Sequence, residues 1–99
     1  MTRDFKDPLY KEWRAKVIKL YKNKCAICKK RKGAKHAHHL DAWNFAFESR
    51  YEVSNGICLC VKCHNDYHSK YGKGDNTYYQ FEEYLNIYHN LSLLKIQKQ

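Results

Sequence analysis

The stretch that decides the fold of this 99-residue chain runs from residue 37 to residue 68. It opens with HHL at 38–40, continues through NGI at 55–57 and closes with LCVKCHNDYH at 59–68. The stretch thus contains a histidine pair, an asparagine one hairpin later and a run of cysteine and histidine. These residues supply a candidate base, an orienting amide and several metal ligands. We therefore expect a metal-containing site built on a short hairpin and on the helix that follows it.

Length and cysteine usage favour a small intracellular metalloprotein. A chain of 99 residues forms one domain with a thin core, and domains of this size often need a metal or disulfides as support. The five cysteines include two Cys-x-x-Cys pairs, and no signal-peptide pattern precedes them, so we expect reduced thiols that bind metal. No apolar run approaches the ~20 residues of a membrane span. We expect a soluble, cytoplasmic protein with no membrane partner.

The positive charge is concentrated in the first third of the chain. Residues 1–35 hold 13 of the 19 Lys and Arg residues and three acids, a formal charge of +10. Residues 36–99 hold six bases and seven acids, a formal charge of −1. This asymmetry predicts a densely anionic partner, above all nucleic acid. The alternative is a solvated helix face that only keeps a small protein soluble.

Hydrophobic periodicity and turn residues predict an α+β domain that spans residues 1–99. Asp7 and Pro8 form a helix start, an N-cap acid followed by Pro at the first helical position. The expected elements are a basic amphipathic helix at 8–23, strands at 35–40 and 57–59, a helix at 61–71 and a C-terminal helix at 77–92 with a Thr77/Gln80 capping box. Residues 25–71 form the core unit, and the tail after Leu94 is expected to fray. The residues between the strands that we expect to pack are Trp43, Phe45 and Phe47.

Four of the five cysteines have the pattern of a structural zinc site. The two pairs supply four thiolates, each pair at the spacing that lets both sulfurs reach one tetrahedral ion. The predicted ligands are Cys25, Cys28, Cys60 and Cys63. Cys58 is interpreted as a small buried core residue. The gap between the pairs exceeds that of an ordinary zinc ribbon, so the intervening segment is an inserted hairpin that carries the chemistry.

Two other interpretations of these residues fit less well. A thioredoxin-like redox role lacks the βαβ pattern that surrounds such a Cys-x-x-Cys pair. A finger built from Cys25, Cys28, His64 and His68 has a Cys-to-His spacing about three times the ~12 residues of that motif. The finger would also leave the second cysteine pair unexplained.

Taken in order, these motifs resemble the HNH endonuclease family, the ββα-metal or His-Me finger fold, over about residues 13–71. Residues 71–85 also resemble the tail of small bacteriophage HNH proteins, including homing-type enzymes, which would place the protein in the host cell. The resemblance implies hydrolysis of DNA phosphodiester bonds with one catalytic divalent ion. It implies that His39 is the general base and that Asn55 positions that base or its loop. Similarity to bacterial toxin nucleases implies that the ligands of the ion are His38, His64 and His68.

The residue types support these roles on physical grounds. His64 and His68 are four residues apart on a helix and so share a face, whereas Cys63 points about 100° away and can serve a second ion. A histidine titrates near neutral pH, so His39 can take a proton from water. Because neighbours in a strand face opposite sides, His38 and His39 serve one site only at a strand end or bulge. We therefore expect irregular backbone at 38–41.

The resulting prediction is a metal-dependent endonuclease acting on double-stranded DNA. Its cofactors are a structural Zn²⁺ and one catalytic divalent ion, Mg²⁺, Mn²⁺, Ni²⁺ or Zn²⁺. Two alternatives stay open: a non-enzymatic zinc module that binds nucleic acid, and a packaging or restriction accessory that cleaves only with partners. Oligomeric state also stays open. The predicted DNA contacts are Arg14, Lys29, Lys30, Arg31, Lys32 and Arg50.

Overall fold

The computed structural model describes residues 6–97. It contains α1 (Pro8–Leu20), β1 (Lys35–His39), a 3₁₀ turn (Val53–Asn55), β2 (Gly56–Cys60), α2 (Val61–Tyr71), α3 (Tyr78–His89) and α4 (Leu93–Gln97). The α+β prediction is confirmed, with a hairpin that leads directly into a helix. The two ends of the predicted domain, residues 1–5 and 98–99, lie outside the described residues. Within residues 6–97, no helix is both long and apolar enough to cross a membrane.

The sheet is a single antiparallel pair whose register places the site residues. Lys35 pairs with Cys60 at one end, and His39 pairs with Gly56 at the other. β2 is buried along its whole length. It extends one residue beyond each end of the predicted strand at 57–59. The irregular backbone expected at 38–41 starts later than predicted, because β1 stays paired through His39 and bends only at residues 40–41.

Helix α1 covers the outer side of the hairpin. The Asp7 carboxylate accepts a hydrogen bond from the Leu9 N–H at 2.9 Å and so caps the helix as predicted. Trp13 and Val17 are its buried residues. A Cβ atom at Gly56 would lie 2.5 Å from Val17 Cγ2 and 2.8 Å from the Trp13 ring, so only glycine permits this close packing.

Both flanking helices end earlier than their sequence patterns predict. The predicted end of α1 at residue 23 is wrong by three residues, because Lys22 and Asn23 adopt φ of 56° and 58° and turn the chain toward the first cysteine pair. Helix α3 has the predicted capping box, but it ends at His89 and not at residue 92, because Asn90 adopts the left-handed conformation.

The segment after α3 folds back onto the core. The fraying expected after Leu94 is wrong as far as residue 97, because Leu93 and Ile96 of α4 are buried. The Glu82 carboxylate accepts a hydrogen bond from the Leu93 N–H at 2.9 Å and holds the start of α4. The predicted bounds of α2, by contrast, are confirmed, and Gly72 ends that helix with φ 80°.

The residues between the strands form a series of turns. Trp43 packs as predicted and is 6% exposed. The prediction for the two phenylalanines is wrong, because Phe45 is 44% exposed and Phe47 is 66% exposed. The main core lies on the other side of the hairpin, where α2 and α3 bring together Tyr67, Phe81, Tyr84 and Leu85.

Candidate active site and metal centres

The four predicted zinc ligands form one compact cluster. One sulfur from each of Cys25, Cys28, Cys60 and Cys63 lies within 4.8 Å of all the others. The Cys28 and Cys60 sulfurs are 3.7 Å apart, close to the ~3.8 Å that separates two sulfurs bound to one tetrahedral zinc at ~2.3 Å. The donor set and its geometry therefore fit a structural metal ion such as zinc. Cys58 is fully buried and lies outside this cluster, as predicted.

Local backbone geometry explains why the sulfurs converge. Lys29 adopts φ 65°, and its N–H donates to the Cys25 carbonyl at 2.9 Å, which closes a tight turn around the first pair. Cys60 is the N-cap of α2, and its sulfur accepts a hydrogen bond from the Cys63 N–H at 3.4 Å. The second pair is therefore held by a strand-to-helix junction.

The thiol pKa values reflect this crowding. Burial raises the pKa of the Cys28 and Cys63 thiols. Burial alone would also raise the pKa of Cys60, but the Cys63 N–H and the neighbouring thiols lower it to about 7. Several buried thiolates close together repel one another, and a cation removes that cost.

A second cluster contains the three predicted histidine ligands. One ring nitrogen from each of His38, His64 and His68 lies within 4.8 Å of the others. The Nε2 atoms of His64 and His68 are 3.2 Å apart, near the ~3.3 Å expected for two nitrogens on one tetrahedral ion at ~2.0–2.1 Å. The structure thus brings these rings together in a way that suits one divalent ion.

The protonation of two of these rings also suits metal binding. His68 Nδ1 lies 2.7 Å from the Gly72 carbonyl, which can only accept, so Nδ1 carries the hydrogen and Nε2 carries the lone pair of the neutral ring. Burial, together with His68, His36 and Lys73, lowers the pKa of His64 to about 4. His64 is therefore neutral at pH 7 and able to act as a ligand.

His39 lies on the opposite side of β1 from His38 but borders the same cleft. The cleft has a volume of about 470 Å³, and His38, His39, His64 and His68 all line it. His39 Nε2 donates to the Arg50 carbonyl at 2.8 Å, so in the neutral ring Nδ1 carries the lone pair. One face of the ring stacks on Trp13, with centroids 3.9 Å apart and planes inclined by 12°.

Asn55 fastens the loop between the strands through its side-chain amide. Its Oδ1 accepts from the Asp41 N–H at 2.8 Å, and its Nδ2 donates to the carbonyls of Asp41 and Ser49 at 3.1 and 3.3 Å. Residues 41 and 49 are thereby held together. Because Arg50 follows Ser49 directly, the amide also places the carbonyl that orients His39.

The predicted DNA-contacting residues fall into two groups. Lys29, Lys30, Arg31 and Lys32 are exposed on the turn after Cys28. Arg14 is also exposed and donates to the Lys35 carbonyl at 3.1 Å, beside this turn. Arg50 lies apart: it is half-buried, its Nε donates to the Trp43 carbonyl at 2.7 Å, and its guanidinium sits 3.6 Å above the Trp43 ring.

Trp13, His36 and Lys73 adjoin the site histidines but were not predicted as site residues. Trp13 supports the His39 ring from α1. His36 stacks on His64, with ring centroids 4.5 Å apart, and Lys73 lines the cleft. His36 lies two residues before His38 and so shares its strand face, a signal present in the sequence. The position of Trp13 had no such signal.

The fold is a two-stranded antiparallel sheet that leads into a helix. A cysteine cluster lies at one end of the sheet, and a histidine-lined cleft lies beside it. Together these features define a ββα-metal domain. The family model for the HNH endonuclease matches residues 25–70, the segment that contains the hairpin, most of α2 and the ligands of both clusters. Neither the curated proteins nor the solved structures give a match to this chain. The match supports a nuclease-type function in general, and proteins of that family use a divalent metal and act on nucleic acids.

Proposed function

We propose that this protein is a metal-dependent endonuclease that hydrolyses DNA phosphodiester bonds, with His39 as general base. The observation that carries the proposal is the arrangement around His39. His39, whose Nε2–H donates to the Arg50 carbonyl, borders the cleft that the clustered rings of His38, His64 and His68 also line. His39 and the candidate ion site thus line one cleft with room for a phosphate and a water.

The role of His39 follows from its hydrogen bond. Because Nε2 carries the hydrogen, Nδ1 is the atom that takes a proton from the attacking water. Loss of the Arg50 contact would allow the other tautomer and a rotated ring. Trp13 packs against one face of the ring, and Asn55 holds the loop that supplies the carbonyl. Arg50, Trp13 and Asn55 together keep the His39 ring in one orientation.

His38, His64 and His68 would hold the catalytic divalent ion. When bound, such an ion supplies positive charge to the phosphate oxygens and to the leaving group. The neutral state of His64 supports this role, because a ligand histidine must be unprotonated. Imidazole ligands favour Zn²⁺, Ni²⁺ or Co²⁺, so we propose that the preferred ion comes from this group before Mg²⁺ or Mn²⁺.

The four-cysteine cluster would hold a separate structural Zn²⁺. It joins the first turn after α1 to the start of α2 through Cys25, Cys28, Cys60 and Cys63. Helix α2 carries ligands of both clusters, since Cys63 is buried in the core and His64 borders the cleft. The structural ion would therefore keep the histidine ligands in place.

Double-stranded DNA is the proposed substrate. The exposed run Lys29–Lys32 and the concentration of charge in residues 1–35 suit the closely spaced phosphates of a duplex. Phosphate contacts of this kind position the duplex without reading its sequence.

A supercoiled-plasmid assay with added Mg²⁺, Mn²⁺, Ni²⁺ or Zn²⁺ tests the proposal. Relaxed or linear plasmid should appear with the wild-type chain and not with His39→Ala. His89→Ala is the matched control, because His89 lies outside the cleft and bonds to the Tyr84 hydroxyl at 2.9 Å. A wild-type chain that retards plasmid but cuts it with none of these metals would favour the non-enzymatic binding module.

A further inference from the structure

Two phenylalanine rings point into solvent from the loop that joins β1 to β2. We call residues 41–52 the aromatic loop. Phe45 and Phe47 on this loop are 44% and 66% exposed, although the neighbouring Trp43 is buried. Two exposed phenylalanines, two residues apart on one loop beside a candidate active site, form a small apolar surface that a partner could cover.

The aromatic loop is fastened at several points, so its backbone is held in place. Asn55 ties its two ends through Asp41 and Ser49. Within the loop, the Arg50 guanidinium lies between two rings, 3.6 Å from the Trp43 centroid and 4.5 Å from the Phe47 centroid. Phe47 is therefore packed on its Arg50 side and open on the rest of its surface.

The aromatic loop also forms one wall of the candidate active site. Ala42 and Trp43 line the same cleft as His38 and His39. The carbonyl of Arg50 accepts the hydrogen bond that orients His39. A phosphodiester placed beside His39 would therefore bring its adjoining base pairs next to this loop.

We infer that Phe47, assisted by Phe45, inserts as an apolar wedge between base pairs of duplex DNA beside the phosphodiester that His39 attacks. The inference rests on the proposed function and specifies a substrate that is locally unstacked and kinked. Apolar side chains inserted at a base step are a recurrent way to bend a duplex, and one or two residues suffice.

Size and charge favour DNA over a protein partner at this loop. A stable protein interface needs about 800 Å² on each side, contributed by about 20–30 residues. Two phenylalanine side chains offer much less area than such an interface, but they are enough to form a wedge at one base step. A second copy of the chain would also bring together two molecules that each carry a formal charge of +9.

The test uses a short duplex that contains 2-aminopurine at successive positions, with dyes at its two ends to report bending. The protein carries His39→Ala, so it binds without cutting. We expect binding to raise 2-aminopurine fluorescence at one step and to bring the dyes closer. Adding Phe47→Ala, or Phe45→Ala with Phe47→Ala, should abolish both signals and lower duplex affinity by roughly 5–100-fold, the range for loss of a base–aromatic stack.

Three further variants make the test specific. Phe47→Leu should keep most of the signal, because leucine also serves as a wedge. Phe45→Ala alone should lower the signal while it leaves the Arg50 stack on Trp43 in place. Tyr79→Ala is the control, since Tyr79 is 81% exposed on α3 and is not among the cleft residues. It should bind and bend DNA like the parent.

Three results would overturn the inference. The double alanine variant could keep the fluorescence and bending of the parent. It could lose affinity only for single-stranded DNA. It could also change from dimer to monomer in sedimentation with unchanged DNA binding, which would assign the rings to a protein interface. A parent that fails to bind any duplex would instead contradict the proposed function, so the two failures are distinguishable.

Discussion

The indole of Trp13 lies parallel to the imidazole of His39, with ring centroids 3.9 Å apart and planes inclined by 12°. Trp13 comes from α1, which precedes the segment that matches the HNH family, and its Nε1 donates to the Glu52 carbonyl at 2.8 Å. The helix that precedes the HNH segment therefore supplies the surface on which the candidate base rests.

Two substitutions of Trp13 should separate the effect of its ring contact on cleavage from its effect on the free energy of unfolding. Trp13→Phe and Trp13→Leu both remove the donor to Glu52, which should cost about 1–3 kcal/mol of unfolding free energy, and each leaves a cavity at this buried position that is larger for leucine. Only phenylalanine keeps a ring against His39, so Trp13→Leu should cleave plasmid roughly 10–100-fold more slowly than Trp13→Phe. Cleavage rates and urea unfolding of the two proteins provide the measurement. Equal cleavage rates, measured well below both unfolding transitions, would show that the stack has no positioning role.

His39→Ala should lower plasmid cleavage by roughly 10²–10⁴, the range for loss of a general base. Zinc content should be unchanged, since His39 belongs to neither cluster. Because the side chain is 6% exposed and packs on Trp13, unfolding free energy should also fall by about 0.5–3 kcal/mol. Assays well below the melting temperature separate the two effects. Near-normal cleavage with every metal would remove His39 from the role of base.

Replacement of any one of the four clustered cysteines by serine should abolish the cooperative thermal transition. Metal-binding free energy contributes directly to folding when the ligands are brought together by the fold. Cys58→Ser is the matched control: the thiol is buried outside the cluster, so a serine hydroxyl there should cost only about 1–3 kcal/mol. Calorimetry and elemental analysis measure both quantities. Protein purified without chelator and free of zinc would contradict the structural-ion assignment.

The basic turn should determine how DNA affinity depends on salt. Each phosphate neutralised contributes about −0.9 to the log–log slope, so replacement of Lys29, Lys30, Arg31 and Lys32 by alanine should flatten the slope by up to ~3–4. Binding should weaken alike for different sequences, because phosphate contacts carry no base information. Fluorescence anisotropy across a salt series gives the slope, with His39→Ala as the unchanged control. A wild-type slope in the fourfold variant would move the DNA path to another face, such as α1.

Replacement of Lys35 should lower the free energy of unfolding more than replacement of an exposed lysine. Its side chain is 4% exposed, and Nζ donates to the carbonyls of Arg31, Lys32 and Gly33 at 2.8, 3.1 and 2.9 Å. Lys35→Met leaves these carbonyls without their donor and should cost at least about 1–3 kcal/mol. Lys30→Met, at an exposed position on the same turn, should change stability by no more than about 0.5 kcal/mol. Urea unfolding of the pair distinguishes them, and equal midpoints would contradict the prediction.

Local sequence determined the elements whose signals are short-range. The bounds of α2 follow from a helical pattern that starts at Cys60 and ends at Gly72. The ability of the two sulfurs within each Cys-x-x-Cys pair to reach one ion follows from their spacing. The shared helix face of His64 and His68 follows from their separation of four residues. The α2 bounds and the shared histidine face need only local sequence, whereas the meeting of the two cysteine pairs also needs the hairpin that brings residues 25–28 and 60–63 together.

The C-terminal end of α1 and the presence of α4 depend on contacts that the hydrophobic periodicity of the sequence does not reveal. The apolar pattern of α1 continues past Leu20, but left-handed backbone at Lys22 and Asn23 turns the chain so that the first cysteine pair can reach the second. The segment at 93–97 is helical because Glu82 caps it and the core buries Leu93. Phe45 and Phe47 look like core residues by type, yet the turns of their loop direct them outward.

Residue types and spacings in the sequence determined which side chains carry the chemistry: the histidines, the asparagine and the cysteines. Only the tertiary structure decided how the base is held. His39 meets the carbonyl of Arg50 and the ring of Trp13, which come from a loop 11 residues later and from a helix 26 residues earlier. Such contacts depend on how α1 packs over Gly56 and how Asn55 closes the loop. Long-range packing is set by the whole folded chain, so no local pattern at His39 encodes it.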